Sequence, residues 1–139
     1  MTTIEGVFVG LTGSLARSNI AAASFAELSD DESENTHRAI ARHMREVGKA
    51  FALSAANVAT RSDWQLGREG LARKKGYPSP EDYVQSLGGG GGGTKADTRR
   101  LIEAGTMATE AEAALDRQKQ AEAHAAEHPD APPVDVHVP

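Results

Sequence analysis

An all-α fold is the expectation for this sequence, and three observations carry it. Apolar residues recur at helical spacing over long stretches. Helix-start signals stand at Ser29, Ser79 and Thr94. Strand-like alternation is confined to the last residues, Val134, Val136 and Val138. The architecture expected is a long amphipathic helix packed with shorter helices, a helical hairpin with a Gly-rich turn, and an extended C-terminal tail. In residue terms this is one helical domain over 1–128 and an extended or disordered tail over 129–139.

Residues 4–17 place Ile4, Val7, Phe8, Leu11 and Leu15 at helical spacing. Gly6, Gly10 and Gly13 interrupt them, each costing up to about 1 kcal/mol relative to Ala. The spacing predicts a frayed helix whose stripe packs on the long one; a short strand over Val7–Val9 is the competing reading. The Ala-rich residues 20–28 continue as helix before Ser29 restarts the register.

The long helix spans Ser29 to Arg61. Ile40, Met44, Val47, Phe51 and Val58 follow one another at steps of four and three, with Ser54 filling one step, which sets them on a single stripe. This stripe is the expected core or interaction face. Ser29 followed by Glu32 is a capping-box pattern, and Asp30, Asp31 and Glu32 place negative charge at the positive end of the helix dipole. At about 1.5 Å per residue the helix runs roughly 45 Å.

The pattern breaks at Arg61-Ser62-Asp63-Trp64. Trp64 reads as a hydrophobic plug at a helix end; a base-stacking role lacks support, because single-strand binders usually present several platforms. A short helix over 68–75 is expected, stopped by Gly76. Ser79, Pro80 and Asp82 start a helix over 80–87 that should bury Tyr83, Val84 and Leu87. Gly88–Gly93 forms a flexible turn. A helix over 94–104 begins at Thr94, with Asp97 three residues on, and should end at Gly105 as its C′ residue. Residues 108–128, rich in Ala, Glu, Gln and Lys, predict a separate, solvated helix ended by Pro129.

Composition limits what such a chain does. The 139 residues are 39% hydrophobic and only 4% aromatic, so the core must be thin and built from Ala, Leu and Val. The net charge of −5 argues against general nucleic-acid coating, yet residues 61–100 carry eight basic and five acidic side chains and keep a local footprint. There is no cysteine, hence no disulfide and no thiolate chemistry. No apolar run of about 18 residues offers a transmembrane helix, and no basic region precedes an apolar core at the N-terminus. The expectation is a cytoplasmic protein without membrane contact.

Residue patterns for catalysis are weak. His124-Ala-Ala-Glu127-His128 spells an inverted zincin motif, with both histidines on one helix face. It lacks a third ligand on a packed element, and an exposed helix end is the better reading. His37 and His43 flank the long stripe as surface histidines. The glycine run lacks the Gly-Lys-Ser/Thr ending of a phosphate loop, and no nucleophile-elbow pattern surrounds a serine. No catalytic residue, metal ligand or cofactor is assigned. The remaining pattern is the pair 80–87 and 94–104, a loose helix-turn-helix mimic whose second helix displays Lys95, Thr98, Arg99 and Arg100. Arg99 and Arg100 would read guanine edges while Lys95 and Thr98 hold phosphates, with Arg73, Lys74 and Lys75 adding charge. Six glycines exceed the usual turn, and a plain charged outer face fits equally well.

Three stretches together resemble a known family. They are Leu28-Ser29-Asp30-Asp31-Glu32 at the head of the long helix; Leu66-Gly67-Arg68-Glu69-Gly70-Leu71-Ala72-Arg73-Lys74-Lys75-Gly76-Tyr77, running on through Pro78 to Leu87; and Lys95-Ala96-Asp97-Thr98-Arg99-Arg100-Leu101-Ile102-Glu103-Ala104-Gly105. In this order they resemble the actinobacterial domain of unknown function 222 family over roughly residues 20–139. That domain usually precedes an HNH endonuclease module. The resemblance implies an all-helical domain with a DNA-targeting or accessory role beside a nuclease. The glycine run departs from the family's shorter turn, and Pro139 comes before the family's further helices and any HNH module. None of the five histidines has the hairpin-and-helix setting of a ββα-metal nuclease, so these residues are not expected to cut DNA. Two functions therefore stand: a non-catalytic DNA-targeting or accessory module with DNA or an HNH module as partner, and a protein-interaction or dimerisation module acting through Ile40, Met44, Val47, Phe51 and Val58.

Overall fold

The computed structural model describes residues 3–88 and 93–128. Most of the glycine run and the whole 129–139 tail lie outside the described residues. The chain is all-α, with no strand among the described residues. It divides into two compact units, Met1–Met44 and Arg45–Pro139.

In the first unit, α1 (Ile4–Arg17) is a true helix, and the competing strand over Val7–Val9 does not form. Thr3 caps it, its Oγ1 accepting from the Gly6 amide at 3.0 Å. The chain leaves through Asn19, whose φ of 49° is left-handed, a region Asn tolerates better than most residues. A short α2 (Ala22–Ala26) follows, its entry held by the Ala21 amide donating to Ser24 Oγ at 3.1 Å. Next comes α3 (Asp30–Arg61), one continuous helix of 32 residues. Its capping box is complete: the Ser29 amide donates to Glu32 Oε1 at 3.1 Å and the Glu32 amide to Ser29 Oγ at 3.2 Å. No described residue up to Met44 is buried. The α1 stripe expected to pack stays exposed at Ile4, Val7, Leu11 and Leu15, and only Phe8 is half-buried. An apolar stripe needs an apolar surface facing it, and Ile40 and Met44 are themselves exposed.

The second unit holds the core, and that core is small. Among the described residues it consists of Ala55, Ala56, Ala72, Tyr83 and Val84, with Ser62 and Thr98 buried beside them and no large side chain wholly enclosed. Three elements follow α3: a 3₁₀ turn over Trp64–Glu69, α4 (Leu71–Lys74) and α5 (Pro80–Leu87). α4 is shorter than the expected 68–75 because Arg68 and Glu69 belong to the 3₁₀ turn. Its end is a Schellman motif: Gly76 takes φ 84°, its amide donates to Arg73 O at 3.0 Å, and the Tyr77 amide reaches Ala72 O at 2.9 Å. This return lays Tyr77 on Tyr83, ring centroids 5.1 Å apart. Ser79 caps α5 as expected, accepting from the Asp82 amide at 3.2 Å and donating its hydroxyl to Asp82 Oδ2 at 2.7 Å. Leu87, expected inside, is 59% exposed.

The largest correction concerns Gly105. It ends no helix. α6 runs unbroken from Lys95 to Glu127, so the expected pieces 94–104 and 108–128 are one helix of 33 residues. Gly105 is instead the buried point where α6 crosses α3. A Cβ built there would overlap the Ala52 carbonyl and lie 2.9 Å from Ala56 Cβ. The helices run antiparallel at the crossing, since Lys49 Nζ meets Glu112 Oε1 at 3.8 Å on its far side. Small residues on both sides let the two backbones touch. The bulky stripe of α3 correspondingly misses the core: Phe51 is 53% exposed, Val47 and Val58 only half-buried, while Ala55 and Ala56 are inside.

Candidate nucleic-acid interface

Two basic regions lie in the second unit. The first is the start of α6. Thr94 caps it with a full box, the Thr94 amide donating to Asp97 Oδ2 at 3.0 Å and the Asp97 amide to Thr94 Oγ1 at 3.1 Å. Of the four residues assigned to this face, Thr98 is withdrawn from solvent. It is 3% exposed and its hydroxyl donates to Thr94 O at 3.2 Å. Lys95 pairs with Asp82 at 3.3 Å and Arg100 with Asp97 at 3.2 Å. The Ser79 hydroxyl, followed by Lys95 and Arg99, holds the Asp82 carboxyl below the usual carboxylate range; the Thr94 amide and hydroxyl, with Arg100, do the same for Asp97. Lys95 and Arg100 are thus answered within the chain, while Arg99 is exposed and in no ion pair among the described residues. Among the described residues 94–104 is not a freely oriented recognition helix, because it is the first third of a long helix that meets α3 at Gly105.

The second region is the segment Arg61–Tyr77, with five basic and two acidic side chains. Its path is held at several points. α3 stops at Arg61, and the buried Ser62 Oγ accepts from the Ala72 amide at 3.0 Å, tying the start of the loop to the start of α4. Asp63 Oδ1 accepts from the Gln65 amide at 2.9 Å and Asp63 O from the Leu66 amide at 3.0 Å. Gly67 takes φ 55°, and Gly70 sits so close to the chain that a Cβ would lie 3.3 Å from Gly67 O. Arg61, Arg68, Arg73, Lys74 and Lys75 are all exposed on this frame. Lys74 reaches Glu69 at 3.6 Å; among the described residues Arg68, Arg73 and Lys75 pair with no carboxylate. Trp64, expected as a plug, is 79% exposed, with Leu66 beside it also exposed. Arg61, Arg68 and an outward Trp64 are additions to the face expected from the sequence. The signal available for them was one tryptophan inside a short, strongly basic segment.

Other concavities and clusters offer less chemistry. An open groove of about 430 Å³ beside the helix crossing is lined by Leu53, Ala56, Asn57, Thr106, Thr109 and Glu110, among others. Thr106 and Thr109 donate to carbonyls of their own helix, Ile102 O at 2.9 Å and Gly105 O at 2.8 Å. Glu110 is the only titratable group there, so the groove holds no acid–base or nucleophile–base pair. The His124 and His128 rings approach to 4.7 Å, but no group of three potential ligands forms a metal site among the described residues. Among them, too, no helix is long and apolar enough to cross a membrane. Searches against models of known families, curated proteins and solved structures give no match to this chain.

Proposed function

We propose that this chain is a non-catalytic helical module that contacts nucleic acid through the segment Arg61–Lys75. One observation carries the reading. In a chain of net charge −5, Arg68, Arg73 and Lys75 stand exposed and unpaired among the described residues, on a loop tied down by Ser62 and closed by the Gly76 turn. Unpaired guanidinium and ammonium groups on a rigid frame suit phosphate, because they bind it without first breaking an internal ion pair or ordering a loop. The start of α6 contributes less, since Lys95 and Arg100 are already engaged and only Arg99 stands outside an ion pair there among the described residues. The resemblance to the HNH-associated family adds a role for such a module, that of targeting or assisting a nuclease partner.

The test is fluorescence anisotropy with labelled DNA at several salt concentrations. Arg73→Gln with Lys75→Gln should weaken binding and flatten the salt slope by about 0.7–0.9 for each phosphate no longer neutralised. Arg99→Ala with Arg100→Ala should do less. The reverse ranking, or no salt-dependent binding by the native chain, refutes the proposal.

A second reading is self-association through the exposed α3 stripe, favoured by the exposure of Ile40, Met44 and Phe51. A second copy would cover the same patch on both chains with one interface. Sedimentation equilibrium decides it. Phe51→Ser should raise the monomer fraction, and a native chain that is monomeric at high concentration rules the reading out.

A further inference from the structure

We infer that Trp64 is a stacking platform for an unpaired base, so that the segment Arg61–Lys75 binds single-stranded nucleic acid in preference to duplex. The inference rests on the nucleic-acid reading above and names its substrate class.

The chain has one tryptophan, and it points away from its own core. Trp64 is 79% exposed, in a second unit whose buried positions are otherwise filled mostly by alanine, tyrosine and valine. An indole usually serves packing, so one left in water at the head of a tightly bonded turn is available to a ligand. The turn also fixes its place. The Asp63 side chain and carbonyl hold the amides of Gln65 and Leu66, Gly67 reverses the chain, and Ser62 ties the base of the loop to Ala72. The same short segment carries Arg61, Arg68, Arg73 and Lys75, all of them exposed.

One exposed ring in a segment with exposed cations matches one stacked base flanked by its phosphates, a smaller site than the several platforms of dedicated single-strand binders. In a duplex the base faces are covered by their neighbours, and only the edges show in the grooves. A side chain that offers a face rather than hydrogen bonds therefore gains most from an unpaired strand. Arginine adds to this by stacking as well as by binding phosphate.

An anionic lipid surface would also attract an indole and cations. Against it, the exposed large apolar side chains of this segment are only Trp64 and Leu66, both on the 3₁₀ turn. Binding at a membrane surface grows with the apolar area that can be buried, and this segment offers no continuous apolar face.

The experiment uses the full chain, where Trp64 fluorescence reports on the site alone. The probes are an oligothymidylate, a duplex of the same length, and phosphatidylglycerol vesicles. The oligothymidylate should quench Trp64 in a saturable way and bind more tightly than the duplex. Its salt slope should be about −2, corresponding to roughly three phosphates at 0.7 each. With a labelled oligothymidylate, Trp64→Ala should weaken binding roughly 5- to 150-fold, the range expected for one base–aromatic stack, while Trp64→Phe keeps most of the affinity. Circular dichroism of both variants should match the native chain, because the ring is outside the core.

Equal or tighter duplex binding, or oligothymidylate binding without quenching and without weakening in Trp64→Ala, overturns the stacking inference and leaves the nucleic-acid reading intact. No binding of either DNA at low salt overturns both. A Trp64 emission shift with vesicles but none with oligothymidylate overturns the inference in favour of a lipid surface.

Discussion

Replacing Gly105 by alanine tests the helix crossing directly, because two effects of opposite sign meet there. In an ordinary helix interior the change is favourable by about 1 kcal/mol, since alanine loses less backbone freedom on folding. At Gly105 the new methyl would overlap the Ala52 carbonyl and come within 2.9 Å of Ala56 Cβ. Neither neighbour can swing aside, one being backbone and the other a methyl fixed to it. The helices must separate, which opens the packing around Ala55 and Ala56, the buried part of α3. Overpacking of this kind costs about 1–3 kcal/mol. Backbone overlap places the cost at the upper end, so the net destabilisation should be about 2 kcal/mol. Gly48→Ala is the internal control: it lies on α3, and a Cβ there meets nothing within 4 Å. It should stabilise by up to about 1 kcal/mol. Urea unfolding followed by circular dichroism reads both. At roughly 4 °C per kcal/mol, melting should fall by about 8 °C for Gly105→Ala and rise by about 4 °C for Gly48→Ala. If Gly105→Ala stabilises the chain as much as Gly48→Ala does, α6 does not meet α3 at Gly105 and the crossing is wrong.

Two further outcomes follow from burial and capping. Phe51→Ala should cost about 1 kcal/mol, because the ring is half exposed, whereas Tyr83→Ala, which empties the buried site beside Tyr77, should cost about 3–5 kcal/mol in the same urea assay. Equal costs would contradict the placement of the core. The Glu32 carboxyl is held low by the Ser29 hydroxyl and amide, as Asp82 and Asp97 are by their own caps. A carboxyl with a lowered folded pKa stabilises the fold above the unfolded carboxylate range, and that stabilisation is lost as pH falls through the folded value. Melting temperature should therefore drop as pH is taken from about 5 towards 3, and Glu32→Gln with Asp82→Asn and Asp97→Asn should flatten the drop; an unchanged pH profile would mean the caps do not hold these carboxylates.

The helix starts were legible because a cap is a local event. Ser29 with Glu32, Ser79 with Asp82 and Thr94 with Asp97 each act across three residues, and in each the threefold spacing in the sequence is the bonded spacing in the structure. The core was less legible. Spacing showed that Phe51 and Met44 share a stripe, but a stripe does not say which face of a helix meets a neighbour. α3 turned its alanines inward because close approach to α6 needs small residues, and its larger side chains remained outside. The basic segment was legible as charge, whereas its usable cations were not, since the pairing of Lys95 with Asp82 and of Lys74 with Glu69 depends on how the turns bring them together.

By itself the sequence determined the helical class, the capped helix starts at Ser29, Ser79 and Thr94, the helix stop at Gly76 and the thinness of the core, because each follows from composition or from interactions a few residues apart. Only the tertiary structure decided that Gly105 joins two helices at a crossing rather than ending one, that Thr98 is buried, and that Trp64 faces solvent. A glycine is favoured both at a helix end and where two backbones touch, and an aromatic ring suits both a core and a binding surface. The choice in each case depends on what lies opposite in space, which for Gly105 is a carbonyl more than fifty residues earlier in the chain.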